Sequence, residues 1–244
     1  MKKITLLSGA NSGIGEEIAK KFASKGHNLI LLVSNFSEKN ILIKKFKKKY
    51  KINIKYFVGN LKDHKFINLL EKKIPKVHNL INNAALRNDK HFLKVTDKDL
   101  NDLLEINLKS IFKLSQIFSK KMIKNKIKGC IISLSSQLGH LGAYNRSVYC
   151  TTKFGLEGLT KSMAMDLGKY GIRVNTVSPT KTIINQEERY NTKKRLNLIR
   201  KKIPLKKFST TKQIASIVYF LTTNSALSIT GTSIISDGGW TAGK

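Results

Sequence analysis

Short apolar runs separated by amphipathic stretches repeat along the whole chain, and this alternation constrains its fold more than any other feature. The runs lie at residues 4–7, 29–33, 54–58, 80–81, 130–134, 174–177 and 233–235. Most are near-continuously apolar, as expected of strands buried on both faces. Between them, residues 14–23, 41–50, 65–73, 100–124, 147–170 and 211–222 read as helices. In the second of these, Leu42, Phe46 and Tyr50 form one apolar stripe among lysines. Gly26 follows the first where a left-handed C-cap is needed. The pattern predicts an α/β fold: a single-domain, doubly wound parallel sheet with helices on both faces. The 244 residues suffice for its core, and no linker, repeat or low-complexity block divides them, so 1–244 reads as one domain.

The turn after the first strand reads Ser8-Gly9-Ala10-Asn11-Ser12-Gly13-Ile14-Gly15. Glycines allow a tight turn and a close backbone approach to phosphate, and the helix that follows presents free N–H groups to an anion. A glycine cluster alone is weak. Its place between a strand and a helix makes it a candidate dinucleotide site.

Tyr149 and Lys153 are four residues apart and share a helix face, and Ser136 lies upstream. A lysine ammonium beside a phenol favours the phenolate and brings its proton exchange nearer neutrality. A neighbouring serine hydroxyl can hold a carbonyl or alcohol oxygen, which makes the group an acid/base device for a C=O/CH–OH pair. Such a device needs a hydride carrier, which the glycine turn would bind.

Together these motifs resemble the short-chain dehydrogenase/reductase family, from Thr5 to Trp240. Gly9…Gly13-Ile14-Gly15 matches its cofactor loop. Asn82-Asn83-Ala84-Ala85 matches its Asn-Asn-Ala-Gly motif, with Ala85 for the glycine. Ser136, Tyr149 and Lys153 match the catalytic serine, tyrosine and lysine, and the thirteen-residue step from serine to tyrosine selects Ser136 over Ser135. Ser178-Pro179-Thr180 matches the segment over the nicotinamide, with Thr180 for glycine, and Asp237-Gly238-Gly239 matches the C-terminal motif. The resemblance implies a Rossmann fold with Tyr149 as general acid/base and Lys153 lowering its pKa and binding the nicotinamide ribose. Ser136 then orients the substrate oxygen, and Asn107 anchors a relay water. It also implies a cofactor set of Gly9, Asn11, Ser12, Gly13, Ile14, Gly15, Ser34, Asn60, Leu61, Asn83, Ala84, Pro179, Thr180 and Thr182, beside Tyr149 and Lys153. Asn82, Asn175 and Asp237 are read as structural.

At the end of the second strand, Val33-Ser34-Asn35 carries no carboxylate to repel a 2′-phosphate. The cofactor reading therefore leans to NADP(H) over NAD(H), with Lys39 within possible reach. The substrate pocket is expected between Ser136 and Tyr149, with Gln137, His140 and Arg146 as candidate contacts, under a lid at about 181–207. Its basic residues Arg146, Arg189, Lys193 and Arg195 suit a polyol, sugar or sugar acid. The alternative substrate is a 3-oxoacyl group on an acyl carrier protein, whose acidic surface would meet the lysines of 120–128 and Lys169. The non-enzymatic alternative is a catalytically silent dinucleotide-binding protein.

The net charge of +31 is spread over lysine runs at 44–49, 120–128 and 193–207. Few aromatics interleave with them, so a specific nucleic-acid role is not expected and compositional bias accounts for the excess. No apolar run approaches the ~20 residues of a membrane span. The N-terminal apolar stretch ends too soon for a signal peptide. Cys130 and Cys150 have no metal-ligand spacing around them, so no metal is expected and both read as free thiols in a reducing compartment. The expected location is the cytoplasm. The family's quaternary structure implies a homo-oligomer, dimer or tetramer, packed through residues 100–124 and 147–170.

Overall fold

The computed structural model describes residues 2–11, 13–34, 49–183 and 193–243. The predicted helix at 41–50 falls almost wholly outside these residues, as do Ser12, Lys39 and Arg189. Seven parallel strands form the sheet: β1 (Ile4–Ser8), β2 (Asn28–Val33), β3 (Ile54–Val58), β4 (Asn79–Asn82), β5 (Cys130–Leu134), β6 (Arg173–Pro179) and, last in the chain, β9 (Ser233–Ser236). Their order is β3-β2-β1-β4-β5-β6-β9. The central strands are buried nearly throughout, whereas the edge strands β3 and β9 are only partly so.

Successive residues of each strand feed opposite cores, as the two-residue period of a strand requires. Leu7 and Ile132 join Ile18 and Phe22 of α1 (Gly13–Ser24) and Ile214 and Val218 of α7 (Thr211–Leu221). Leu6 and Ile131 join Leu70 of α2 (His64–Lys73), Leu114 and Phe118 of α4 (Ser110–Lys124) and Ala164 of α5 (Ser147–Gly168). Helices therefore cover both faces, as predicted.

The helix predicted at 100–124 begins earlier and is not continuous. A capping box of Thr96 and Asp99 starts α3 (Asp97–Leu104). This Thr-x-x-Asp signal was legible in the sequence. A π-helical turn (Glu105–Lys109) then separates α3 from α4. Gly26 does close α1, at φ +77. Two short strands, β7 (Thr182–Ile183) and β8 (Ser209–Thr210), pair apart from the main sheet and flank α6 (Lys193–Lys201). No described helix is long and apolar enough to cross a membrane.

Candidate active site

The chain order reverses between β1 and β4, and that junction opens a crevice at the C-terminal ends of the strands. Backbone and small polar groups lace it. Ser8 Oγ accepts the N–H groups of Asn83 and Ala84 at 3.0 and 3.1 Å. Asn83 Nδ2 donates to the carbonyls of Ser8 and Gly9 at 3.2 and 2.8 Å. Gly9 sits at φ +67 and Gly13 at φ +54. A Cβ on Gly15 would overlap the Gly9 carbonyl oxygen and come within 2.6 Å of Asn83 Nδ2. Glycine here is a steric requirement: the turn folds flat against the start of α1, where the first N–H groups of a helix have no partner within it. A dinucleotide fits this cradle.

From the crevice a groove of about 1010 Å³ runs past Ile14, Asn83 and Ala85 to Ser136, Tyr149 and Lys153. Pro179, Thr180 and Thr182 line it as well. Ala84 packs its backbone on Gly9 rather than lining the groove. Ser34 and Asn60 are exposed, and Asn60 Oδ1 accepts the N–H of Lys62, while Leu61 is half-buried against the core. Thr180 and Ser135 line the groove, and their hydroxyl oxygens are buried without a protein partner among the described residues.

Ser136 begins a single 3-10 turn (Gln137–Gly139), its Oγ accepting the Leu138 N–H at 3.1 Å. The same hydroxyl is hydrogen-bonded to Tyr149. Lys153 is 1% exposed, and its Nζ donates to the Leu134 carbonyl at 2.7 Å. That Nζ lies 5.5 Å from the centre of the Tyr149 ring. Burial pulls the Lys153 pKa down to about 8, with Glu157 opposing the fall. Burial pushes the Tyr149 phenol above its ordinary value, against the pull of the Ser136 hydrogen bond. The sequence predicted a lowered tyrosine. Desolvation prevails because Tyr149 is buried, and the Lys153 ammonium lies beside the ring with one of its N–H groups on the Leu134 carbonyl. The pair can still move a proton: Tyr149 stays a phenol near neutrality, and Lys153 titrates within reach of it.

Asn107 is fully buried in the π-helical turn. Its Oδ1 accepts the Leu86 N–H at 2.7 Å, and its Nδ2 donates to the Leu86 carbonyl at 2.9 Å and to Thr152 Oγ1 at 3.2 Å. It ties the segment after β4 to the Tyr149 helix. Asn82 bonds Ser115 and Ser133, Asn175 bonds the Ile229 carbonyl and the Thr232 N–H, and Asp237 collects Gly239 and Thr241. These are the structural duties read for them.

The expected substrate contacts divide. Gln137 lines the groove with Oε1 buried and unpartnered. Arg146 reaches the groove, but its guanidinium is forked onto Asp89 and donates to the Asn88 carbonyl at 2.9 Å. Asp89 also pairs with Arg87, a residue the sequence did not single out. His140 does not line the groove. Its Nε2 turns to Glu157, Ser178 and Ser233 at 3.2–3.3 Å. From the predicted lid, Lys181, Thr182, Leu196, Ile199 and Lys202 reach the groove. Lys193 and Arg195 have side chains outside the described set. Neither cysteine is paired, and no metal-ligand cluster occurs among the described residues.

A family model described as Enoyl-(Acyl carrier protein) reductase matches residues 9–241. The 3-oxoacyl-[acyl-carrier-protein] reductase FabG of Buchnera aphidicola subsp. Baizongia pistaciae is 35% identical over 240 residues, covering 98% of this chain and 97% of that protein. L-xylulose reductase of Bos taurus is 29% identical, over 97% of this chain and 96% of that protein. The solved structure of a 4-hydroxyisoleucine dehydrogenase complexed with NADH superposes with a TM-score of 0.90 at 33% identity, covering 100% of both chains. With that match and the geometry above, the chain is a member of the short-chain dehydrogenase/reductase family, an NAD(P)-dependent oxidoreductase.

Proposed function

We propose that the chain reduces the 3-oxo group of an acyl thioester carried on an acidic carrier protein, with NADPH favoured over NADH. The observation that carries this reading is the groove beyond Tyr149. Leu138, Leu141, Leu196, Ile199 and Trp240 give it an apolar wall suited to an acyl chain, while Arg146, the expected grip for a sugar acid, is already committed to Asp89. Identity to 3-oxoacyl-[acyl-carrier-protein] reductases over nearly the full chain supports it. Arrival of the acidic carrier is favoured by the positive field of the chain, including the lysines at 120–128 and Lys169.

In this reading Gly9, Asn11, Ser12, Gly13, Ile14 and Gly15 hold the pyrophosphate. Ser34, Asn60 and Leu61 would serve the adenosine, and Asn83, Ala84, Pro179, Thr180 and Thr182 the nicotinamide. Ser34 offers no carboxylate against a 2′-phosphate. The bound nicotinamide supplies the hydride. Ser136 Oγ holds the carbonyl oxygen, and Tyr149 gives that oxygen its proton as charge develops there. Lys153 binds the ribose and, through Asn107 and a water, restores the proton from solvent. Residues 181–207 act as the lid within a single domain, and the enzyme works in the cytoplasm.

A second reading, reduction of a polyol-forming sugar or sugar acid, is favoured by one observation: Gln137 lines the groove, and its buried Oε1, without a partner among the described residues, can accept a hydrogen bond from a hydroxyl. One screen separates the two. Initial rates are measured with 3-oxobutanoyl-CoA, L-xylulose and 5-ketogluconate, each with NADPH and NADH. Preference for the thioester, by about tenfold or more in kcat/KM, supports the first reading, and preference for either sugar transfers the assignment to the second.

We also infer a homo-oligomer. Phe112 on α4 and Phe154 on α5 are 46% and 49% exposed, an apolar face on the two helices expected to pack against another copy. A mass from light scattering equal to one chain would refute it.

A further inference from the structure

Behind the catalytic residues lies a buried carboxylate that the reaction outlined above does not use. Glu157 is 8% exposed on α5, one helical turn beyond Lys153. Its Oε2 accepts Thr176 Oγ1 at 2.7 Å. Its Oε1 accepts Ser178 Oγ at 3.0 Å and meets Ser233 Oγ at 3.4 Å and His140 Nε2 at 3.3 Å. One side chain thus gathers groups from β6, from β9 and from the loop following β5. Among the described residues, no lysine or arginine forms an ion pair with it.

His140 gives this cluster its bearing on the chemistry. The 3-10 turn Gln137–Gly139 has Ser136 as its N-cap and His140 as its C-cap, with the His140 N–H donating to the Gln137 carbonyl at 3.0 Å. Fixing His140 therefore fixes the far end of the turn that carries the Ser136 hydroxyl. The turn also lies directly on α5. A Cβ on Gly139 would meet Ser135 Oγ at 2.9 Å, the Lys153 carbonyl at 3.1 Å and Glu157 Cγ at 3.2 Å. The turn is thus seated between the Lys153 and Glu157 positions of the helix.

We propose that Glu157 is a positioning residue of this site: it clasps the Ser136 turn to the helix of Tyr149 and Lys153 and supplies the buried negative charge one turn from Lys153. Full burial disfavours the ammonium, and a carboxylate on the next turn partly restores it. The groups facing Glu157 are His140 from the turn, the uncharged hydroxyls of Thr176, Ser178 and Ser233 from β6 and β9, and Lys153 on its own helix. Arg87 and Arg146 act at the other end of the pair, on Tyr149.

The first test needs no substrate, so it stands apart from the thioester assignment on which the kinetic test rests. Urea unfolding midpoints are measured at neutral pH for the parent chain, Glu157→Gln, Lys153→Met and the double variant. If Glu157 supports the Lys153 charge, Glu157→Gln lowers the midpoint more in the parent than in the Lys153→Met background. Equal losses in the two backgrounds overturn the proposal.

The second test follows reduction of 3-oxobutanoyl-CoA across pH. Loss of a nearby anion makes the first deprotonation of the Tyr149/Lys153 pair easier, whichever atom releases the proton. Glu157→Gln should therefore shift the alkaline limb to lower pH by about half a unit or more and lower kcat about tenfold through the loosened turn. Glu157→Asp, which keeps the charge, should restore the limb. His140→Gln, which cuts the clasp but leaves the charge, should lower kcat with the limb in place. A Glu157→Gln enzyme with the parent's limb and kcat overturns the proposal.

Discussion

The two halves of the site are built on opposite principles. The dinucleotide crevice is made by leaving side chains out: Gly9 and Gly13 adopt left-handed backbone, Gly15 abuts a carbonyl, and Ser8 and Asn83 knit main chain to main chain. The catalytic face is made by putting polar side chains in. Lys153, Asn107 and Glu157 are all buried around Tyr149 and held by hydrogen bonds. The first half, in the reading proposed, recognises by shape and backbone N–H groups, which do not titrate. The second stores electrostatic work in the fold, so its properties vary with pH and come at a cost in stability.

The largest effect that can break this contrast belongs to Tyr149→Phe. It removes the one hydroxyl placed to exchange a proton beside Ser136, so turnover falls by about a thousandfold or more. Dinucleotide affinity, measured by fluorescence titration, stays near that of the parent. Turnover that survives would show that the catalytic half is not where the proton moves.

Gly15→Ala should do the reverse. The added methyl forces the turn off the start of α1, which weakens dinucleotide binding by about 100-fold. Lys153 keeps its burial and therefore its titration. Calorimetric titration with the nucleotide checks this, and unchanged affinity would mean that the crevice tolerates side chains after all.

The smallest effect is the one that Lys153→Met has on stability: it stabilises the cofactor-free fold by roughly 1–3 kcal/mol at neutral pH. The sign comes from linkage. The folded-state pKa of about 8 lies below the ordinary value of 10.5. Between these values the unfolded chain holds a proton that the folded chain has released, so parent stability rises with pH across that window. The advantage of the Met variant is therefore full below about pH 8 and gone by about pH 10.5. Unfolding midpoints at pH 7 and pH 10 measure it. An advantage that does not shrink would point to packing rather than charge.

Much of the catalytic half was legible in the chain because helix periodicity is local. Tyr149 and Lys153 face one way by spacing alone, and Glu157 continues the same stripe one turn on, a signal present in the sequence but passed over. The Thr96–Asp99 capping box was equally local and marked a helix start three residues earlier than the apolar pattern did. Arg146 and His140 could not be read this way. Arg146 was judged as a cation near a pocket and His140 by its place on the loop after Ser136, but their partners Asp89 and Ser233 lie 57 and 93 residues away. Asn107 was matched by motif, yet its hold on Leu86 depends on a π-helical turn that no residue pattern announces.

By itself, then, the sequence determined the alternation of strands and helices, the glycine turn and the Ser136–Tyr149–Lys153 spacing. These depend on properties carried within a few residues: side-chain period, backbone freedom and helix pitch. Only the tertiary structure decided which cations remain available to a substrate, which carboxylate stands behind the lysine, and that Tyr149 is pushed up rather than down. Those outcomes depend on burial and on partners brought together across the sheet, and desolvation acts on a group only once the chain has closed around it.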